Sequence, residues 1–399
     1  MADGRVARAL RSTPWWAQIL VVFAASRLVT TAILLFYAGI QQKNPWTDAA
    51  PGYAEYARIW DGHWYYIISV VGYPTTLPMT ADGHVGESAW AFMPAYPSLL
   101  RVFTSATGLD FGLVGSVVSA AFTLGAALML YRIMLRMLGD GTAMFTVVLF
   151  LVAPLSPILQ VAYAESMQLF LLFLALWLLL QRHYWVLIPV VVVMALTRPT
   201  GLAFALALGL HVVYRWWRRR QDPFPPREAA AAVTATVASG LAGLAWLVIA
   251  AIATGSLTAY TDTELAWRSA YIGHGELVPF TAWIQGAQFW LRFPLGWVAV
   301  AAAAIAIVGF GVLLLSRAGR RLGVDLRFWL VSYALYLLAV FFPQSSTFRL
   351  LMPLAPALGI IAQPRHPAYR VLLVLLGIAG QVVWVHICWY VDGSDWTPP

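Results

Sequence analysis

One short stretch gathers the groups that could do chemistry. Trp60-Asp61-Gly62-His63-Trp64-Tyr65-Tyr66 sets a carboxylate and an imidazole among aromatic rings, and it runs on through Ile67 and Ile68 to Gly72-Tyr73-Pro74. A carboxylate in such a place can take a proton from an attacking hydroxyl. Aromatic faces beside it can stack on sugar rings. Asp61 is therefore the first candidate for a catalytic group, with Trp60, Trp64 and His63 as its neighbours on a substrate. The plainer reading of Asp61 is a cap on an interfacial helix. For most of the other aromatics it is a belt at the membrane surface.

The elements that must position this stretch are membrane helices. Of the 399 residues, 61% are hydrophobic and 11% charged, and the mean hydropathy is +0.75. A soluble domain is nearer half apolar and a quarter charged. Apolar runs close to the ~20 residues that cross a bilayer recur along the chain. The expected fold class is an all-α polytopic membrane protein of about eleven transmembrane helices. No segment reads as a soluble domain, so residues 1–399 form one integral membrane domain. The single cysteine, Cys388, excludes an intramolecular disulfide and a cysteine-based metal site. No repeat of fixed period is visible.

Charge placement orders these helices. The net charge of +8 suggests nucleic acid at first sight. The bases instead sit where the positive-inside rule puts them, and nucleic acid is rejected as a partner. Arg5, Arg8 and Arg11 precede the first span, at about 17–40, and place the N-terminus in the cytoplasm. That run is too long for the apolar core of a cleaved signal and reads as a retained span. Further spans follow at about 111–130, 143–159, 167–180, 185–196, 202–216, 229–253, 294–315, 328–342, 350–362 and 371–391. Each inner connection carries arginine, most densely at Arg215, Arg218, Arg219, Arg220 and Arg227. Two long outer loops result: 41–110, which holds the Trp-Asp stretch, and 254–292. An acidic tail with Asp392 and Asp395 ends outside.

Some charges break this pattern. Arg198, Arg268 and Arg349 fall on the outer side next to spans, where a base needs an anionic ligand or an acid partner. Glu165 lies at the outer end of a span, where it could pair with Arg198. Glu87, Asp262 and Glu264 read as solvated loop acids. Arg27 sits inside the first span, and a structural ion pair within the bundle is its plainer reading.

The order of short motifs resembles the PIG-V-like mannosyltransferases, which add the second mannose to glycosylphosphatidylinositol precursors, and their bacterial relatives. Trp60-Asp61, Ile68 and Gly72-Tyr73 match the family's first outer loop. Phe92-Met93-Pro94-Ala95-Tyr96-Pro97 matches its Phe-Phe-Pro-x-x-Pro element, and Tyr163-Ala164-Glu165-Ser166 its Tyr-Ser-Glu-Ser/Ala element. Arg198-Pro199-Thr200-Gly201 stands where the family has Arg-Ser-Asn-Gly. The family's histidine comes three residues after the aspartate, whereas His63 comes two after Asp61. The matches cover roughly the first half of the chain. One lysine against 24 arginines, with abundant alanine, fits a GC-rich bacterial source.

The resemblance implies a GT-C glycosyltransferase in a bacterial plasma membrane, taking mannose from polyprenyl-phosphate-mannose on the outer face. The acceptor would be a hydroxyl of a glycolipid, a glycan or a protein. Asp61 would be the general base of one inverting step. Arg198, Arg268 and Arg349 would bind the leaving phosphate, since arginine binds phosphate bidentately. Glu165 and His63 would orient sugar hydroxyls or Asp61. No cofactor or metal is assigned beyond the lipid-linked donor. Three rivals remain: a transporter or flippase of a lipid-linked sugar, a non-catalytic scaffold for an envelope-glycan complex, and a GT-C enzyme that uses another sugar.

Overall fold

The structure is a computed structural model that describes residues 13–292 and 294–392. Arg5, Arg8, Arg11 and Asp395, which entered the topology above, lie outside the described residues. In chain order the helices are α1 (Trp15–Ile40), α2 (Tyr53–Tyr56), α3 (Asp61–Val71), α4 (Ala95–Thr107), α5 (Phe111–Leu138), α6 (Asp140–Val152), α7 (Glu165–Leu180), α8 (Tyr184–Ala195) and α9 (Gly201–Trp217). There follow α10 (Pro226–Thr254), α11 (Ala259–Ile272), α12 (Ala282–Leu291), α13 (Leu295–Leu315), α14 (Arg317–Arg320), α15 (Val324–Val340), α16 (Thr347–Leu350), α17 (Leu358–Ile361) and α18 (Pro367–Trp384). Among the described residues the only extended pairing is an isolated bridge between Met79 and Val85.

Among the described residues five helices are long and apolar enough to cross a membrane: Trp15–Ile40, Phe111–Leu138, Pro226–Thr254, Leu295–Leu315 and Pro367–Trp389. Only 6% of the apolar window of Leu295–Leu315 is buried inside the protein, as suits a helix bathed in lipid. The protein is an all-α membrane protein, and each of the apolar segments expected from the sequence is helical. Two of them are broken. α6 stops at Val152, before Pro154, and the chain resumes as a short 3₁₀ turn, Ser156–Gln160. The tenth is α16, a 3₁₀ turn over Met352–Ala357 and α17. Proline removes a donor and clashes with the preceding turn, which accounts for both breaks. The two segments expected as long outer loops contain helices: 41–110 holds α2, α3 and α4, and 254–292 holds α11 and α12.

The chain forms two compact units. The first comprises Met1–Gly62, Leu109–Phe173 and Ala355–Pro399. Its problem is the end of α6, whose last carbonyls lack helical partners and must be satisfied by protein where no water reaches. Arg27 of α1 donates from Nη2 to Leu151 O at 3.0 Å and from Nη1 to Ser156 O at 3.0 Å, and it also bonds the Ser156 hydroxyl. Gln381 of α18 donates to Val152 O at 3.1 Å and accepts from Thr30 Oγ1 at 2.8 Å. Arg27 thus has a structural role, but not through the ion pair expected from the sequence. Its partners are carbonyl and hydroxyl oxygens rather than a carboxylate. In the same unit Asp110 caps α5, accepting from Gly112 N at 2.7 Å. A Cβ on Gly112 would stand 1.9 Å from Ala54 O, so glycine lets α2 lie directly on α5.

The second unit comprises His63–Gly108 and Leu174–Leu354. α9 and α10 meet at Gly201 and Gly243, where a Cβ on Gly201 would fall 2.7 Å from Gly243 Cα, and Ser239 Oγ bonds Gly201 O at 2.8 Å. Small residues and short polar bonds are how helices associate in lipid. A knot of Tyr73, Trp90 and Trp246 fixes the C-terminal part of α10. Trp246 Nε1 donates to Trp90 O at 2.9 Å. Trp246→Phe should leave that buried carbonyl short of a donor, a loss of ~1–3 kcal/mol. Thermal unfolding in detergent should show a fall of several degrees; an unchanged midpoint would mean that the bond contributes nothing net.

Candidate functional site

The candidate residues are best taken unit by unit. In the first unit, Asp61 is the first residue of α3, a place where a carboxylate sits well against the helix dipole. Its backbone N–H donates to Tyr163 OH at 3.0 Å, across 102 residues of sequence. The segments around these two residues dock directly, because Ala162 N donates to Ala57 O at 2.9 Å. Tyr163 is fully buried and backed by Trp389, with ring centroids 5.2 Å apart. Two residues beyond Tyr163, Glu165 begins α7 and is 5% exposed. The Trp-Asp and Tyr-Ala-Glu motifs, far apart in the chain, are therefore joined in space.

Trp60 precedes Asp61 with φ at +58°. Left-handed backbone is unusual for a bulky side chain and costs roughly 1–2 kcal/mol. Trp60 is buried and its ring lies 4.3 Å from that of Trp46, which leaves the residue little freedom to relax. Packing holds the strained turn, and the turn sets the direction in which α3 and Asp61 start. Tyr163→Phe removes the acceptor of the Asp61 N–H but leaves the ring in place. The transfer expected from the sequence motifs should slow by ~3–10-fold, in line with one neutral hydrogen bond, with little change in unfolding temperature. Unaltered turnover would show that the bond has no part in placing Asp61.

In the second unit the remaining motifs also meet. Tyr73 OH donates to Phe92 O at 2.9 Å, which ties Gly72-Tyr73-Pro74 to Phe92-Met93-Pro94. Ala95 N donates to Leu196 O at 2.9 Å, which brings the second element to the end of α8, two residues before Arg198. Trp64 stacks on Phe92 at 5.7 Å and meets Trp267 edge-on at 5.7 Å. His63 is exposed.

Three bases were expected to await an anion. Arg198 is half-buried close to Tyr260, on whose hydroxyl its charge acts. Arg268 is half-buried and donates to Val340 O at 3.3 Å, at the end of α15. Burial lowers its pKa, opposed by the charge of Glu264 one turn earlier. Arg349 is 8% exposed on the four-residue α16.

Sequence reasoning missed a group on α11. Glu264 is not a solvated loop acid: it is half-buried and hydrogen-bonded to Tyr260. Burial first, and then Glu264, push the Tyr260 hydroxyl well above the ordinary tyrosine range. Tyr260, Glu264, Trp267 and Arg268 recur at spacings of four, three and one, which is one face of a helix. That spacing was the available signal. It went unread because 254–292 was taken as a loop.

No family model and no curated protein sequence matches the chain. Solved structures do match. ArnT from Cupriavidus metallidurans, bound to undecaprenyl phosphate, superposes with a TM-score of 0.50 at 16% identity, over 90% of this chain and 62% of that one. The oligosaccharyltransferase of Archaeoglobus fulgidus, in complex with Zn and sulfate, gives a TM-score of 0.44 at 12% identity, over 89% of this chain and 52% of that one. The chain thus spans between half and two-thirds of the length of these proteins. The likeness to ArnT shows a shared fold.

Proposed function

We propose that this protein is a GT-C glycosyltransferase of the PIG-V-like kind. It moves mannose from polyprenyl-phosphate-mannose to a hydroxyl of a glycolipid, glycan or protein acceptor on the outer side of a bacterial plasma membrane. The observation that carries the proposal is the union of Asp61 with Tyr163. It gives the one acid of the Trp-Asp stretch a fixed start on α3 and sets Glu165 two residues from its anchor. The ArnT fold, seen with undecaprenyl phosphate, supports a polyprenyl-phosphate donor.

In the reaction, the acceptor oxygen attacks the anomeric carbon from the face opposite the phosphate. Its proton passes to the Asp61 carboxylate. The carbon–oxygen bond to phosphate breaks with its electron pair, leaving polyprenyl phosphate and an inverted linkage. One base suffices, because the phosphate departs without protonation. Arg198, Arg268 and Arg349 are the candidates for the leaving charge, and Trp60, Trp64, His63 and Glu165 for the sugar.

Membranes carrying the protein, supplied with radiolabelled polyprenyl-phosphate-mannose, test this directly. Label should pass to an endogenous acceptor, whose chemistry then identifies the acceptor class. The same carrier bearing glucose or arabinose provides the contrast. Transfer from one of those alone would overturn the choice of mannose. Movement of intact donor across the membrane without transfer would replace the enzyme by a flippase.

A further inference from the structure

The first unit contains a cavity of about 400 Å³ between α1 and α5, and none of the residues proposed for the transfer lines it. Its mouth is formed by Leu35, Leu113 and Val117, which are 49%, 42% and 61% exposed on the apolar outer surface of their helices. A molecule entering there comes from the bilayer. The far end is polar and closed by Arg27 and Gln160, which are 8% and 5% exposed. Arg27 lies at the middle of α1, about 12 residues from either end and so ~18 Å in at 1.5 Å per residue.

The hydrogen bonds at that end are incomplete in a specific way. Arg27 commits its Nε hydrogen to Ser26, one Nη1 hydrogen to Ser156 O, and both Nη2 hydrogens to Leu151 O and the Ser156 hydroxyl. A guanidinium carries five such hydrogens, so one on Nη1 is uncommitted. All these partners are neutral. The side-chain amide of Gln160 donates to Thr31 Oγ1 at 2.8 Å and to Tyr53 OH at 3.1 Å. Its carbonyl, Oε1, is buried and without a hydrogen-bond partner. The closed end therefore offers one donor, one acceptor and a positive charge, at the foot of an apolar channel open to lipid.

We infer that the cavity binds a single-chain fatty acid drawn from the membrane. Its carboxyl group lies at Arg27 and Gln160, and its chain leaves past Leu35, Leu113 and Val117. In the neutral acid one carboxyl oxygen accepts from Arg27 and the other donates its proton to Gln160 Oε1, so one acceptor beside one donor matches what this end offers. A phosphate head would need several donors where one is on offer, and about 400 Å³ is modest for a ligand pocket, which commonly runs ~300–1,000 Å³. The inference concerns binding and stands apart from the transferase reading.

Equilibrium binding of tritiated palmitic acid to the full-length protein in nanodiscs tests it, beside palmitic acid methyl ester and hexadecylamine. The acid should bind saturably, one per chain. The ester, which loses the donor, and the amine, which repeats the positive charge, should bind at least roughly tenfold more weakly. Ala120→Phe, which fills the cavity beside Val117, should abolish saturable binding. Val117→Trp narrows the mouth from a lipid-exposed position, keeps the test usable should Ala120→Phe fail to fold, and should weaken binding by a similar factor. Equal uptake of all three probes, or wild-type binding by the Val117 variant, would overturn the site. Stoichiometric displacement of palmitate by undecaprenyl phosphate would overturn it as well, by assigning the cavity to the donor chain.

Discussion

Replacing Asp61 by asparagine should slow the proposed mannosyl transfer by about 10²–10⁴-fold while leaving the protein folded. That is the span that general-base catalysis contributes, equal to ~3–5 kcal/mol of barrier. The substitution is nearly isosteric. It keeps the backbone N–H that donates to Tyr163, the start of α3 and the strained Trp60 turn. Only the basicity of the side chain goes. The experiment compares initial rates for wild type and Asp61→Asn at matched expression, with unfolding temperature and donor binding measured on the same preparations. A large loss in turnover with donor affinity and stability intact assigns the proton transfer to Asp61. A loss of less than threefold would remove Asp61 as the base and turn attention to Glu165. Asp61→Glu should retain a small residual rate, since it keeps the carboxylate but displaces it by one methylene.

The second large effect is expected at a residue with no chemistry. Gly112→Ala adds a Cβ that would lie 1.9 Å from the backbone oxygen of Ala54 and 2.8 Å from its carbon. No rotamer relieves an overlap with backbone, so α2 must move off α5 or the caps at Asp110 must break. Overpacking of this kind costs ~1–3 kcal/mol and sometimes more. The shift propagates: α2 carries Tyr53, whose hydroxyl donates to Gln160 O at 3.0 Å, and it leads into Trp60 and Asp61. Both unfolding temperature and transfer rate should therefore fall. Gly39→Ala, on a helical residue with nothing within 4 Å of the added carbon, is the control and should be neutral or slightly stabilising. If Gly112→Ala behaves like Gly39→Ala, the contact between α2 and α5 does not support the site.

The parts of the molecule that could be read early were those written in local patterns. A membrane helix must be apolar over its whole length and must satisfy its own backbone, so Trp15–Ile40 and Phe111–Leu138 announce themselves one residue at a time. The surface helices were harder. α3 and α11 mix aromatics, acids and bases, and they resemble loops in hydropathy because one side meets protein and the other the interface. Glu264 shows the consequence. As a residue in a loop it looked solvated, and as a residue of α11 it is half-buried beside Tyr260. Arg27 shows another. A charge within a span pointed correctly to a structural partner, but the partner is the broken end of α6, and Pro154 was the clue to that break.

The sequence by itself determined that the protein is an all-α membrane protein, where its apolar helices run, and which few motifs could bear chemistry. Those properties depend on composition and on spacing within one or two turns. Only the tertiary structure decided that the Asp61 N–H meets Tyr163, that Tyr73 meets Phe92 and Ala95 meets Leu196, and that Arg27 and Gln381 close the end of α6. Each of these joins segments through one or a few hydrogen bonds, and in each a backbone N–H or carbonyl, a group that every part of the chain carries, is one partner. Such bonds leave no periodic trace in a sequence. They exist because a helix end or a strained turn inside a bilayer has no water to turn to, and the nearest folded donor or acceptor must serve.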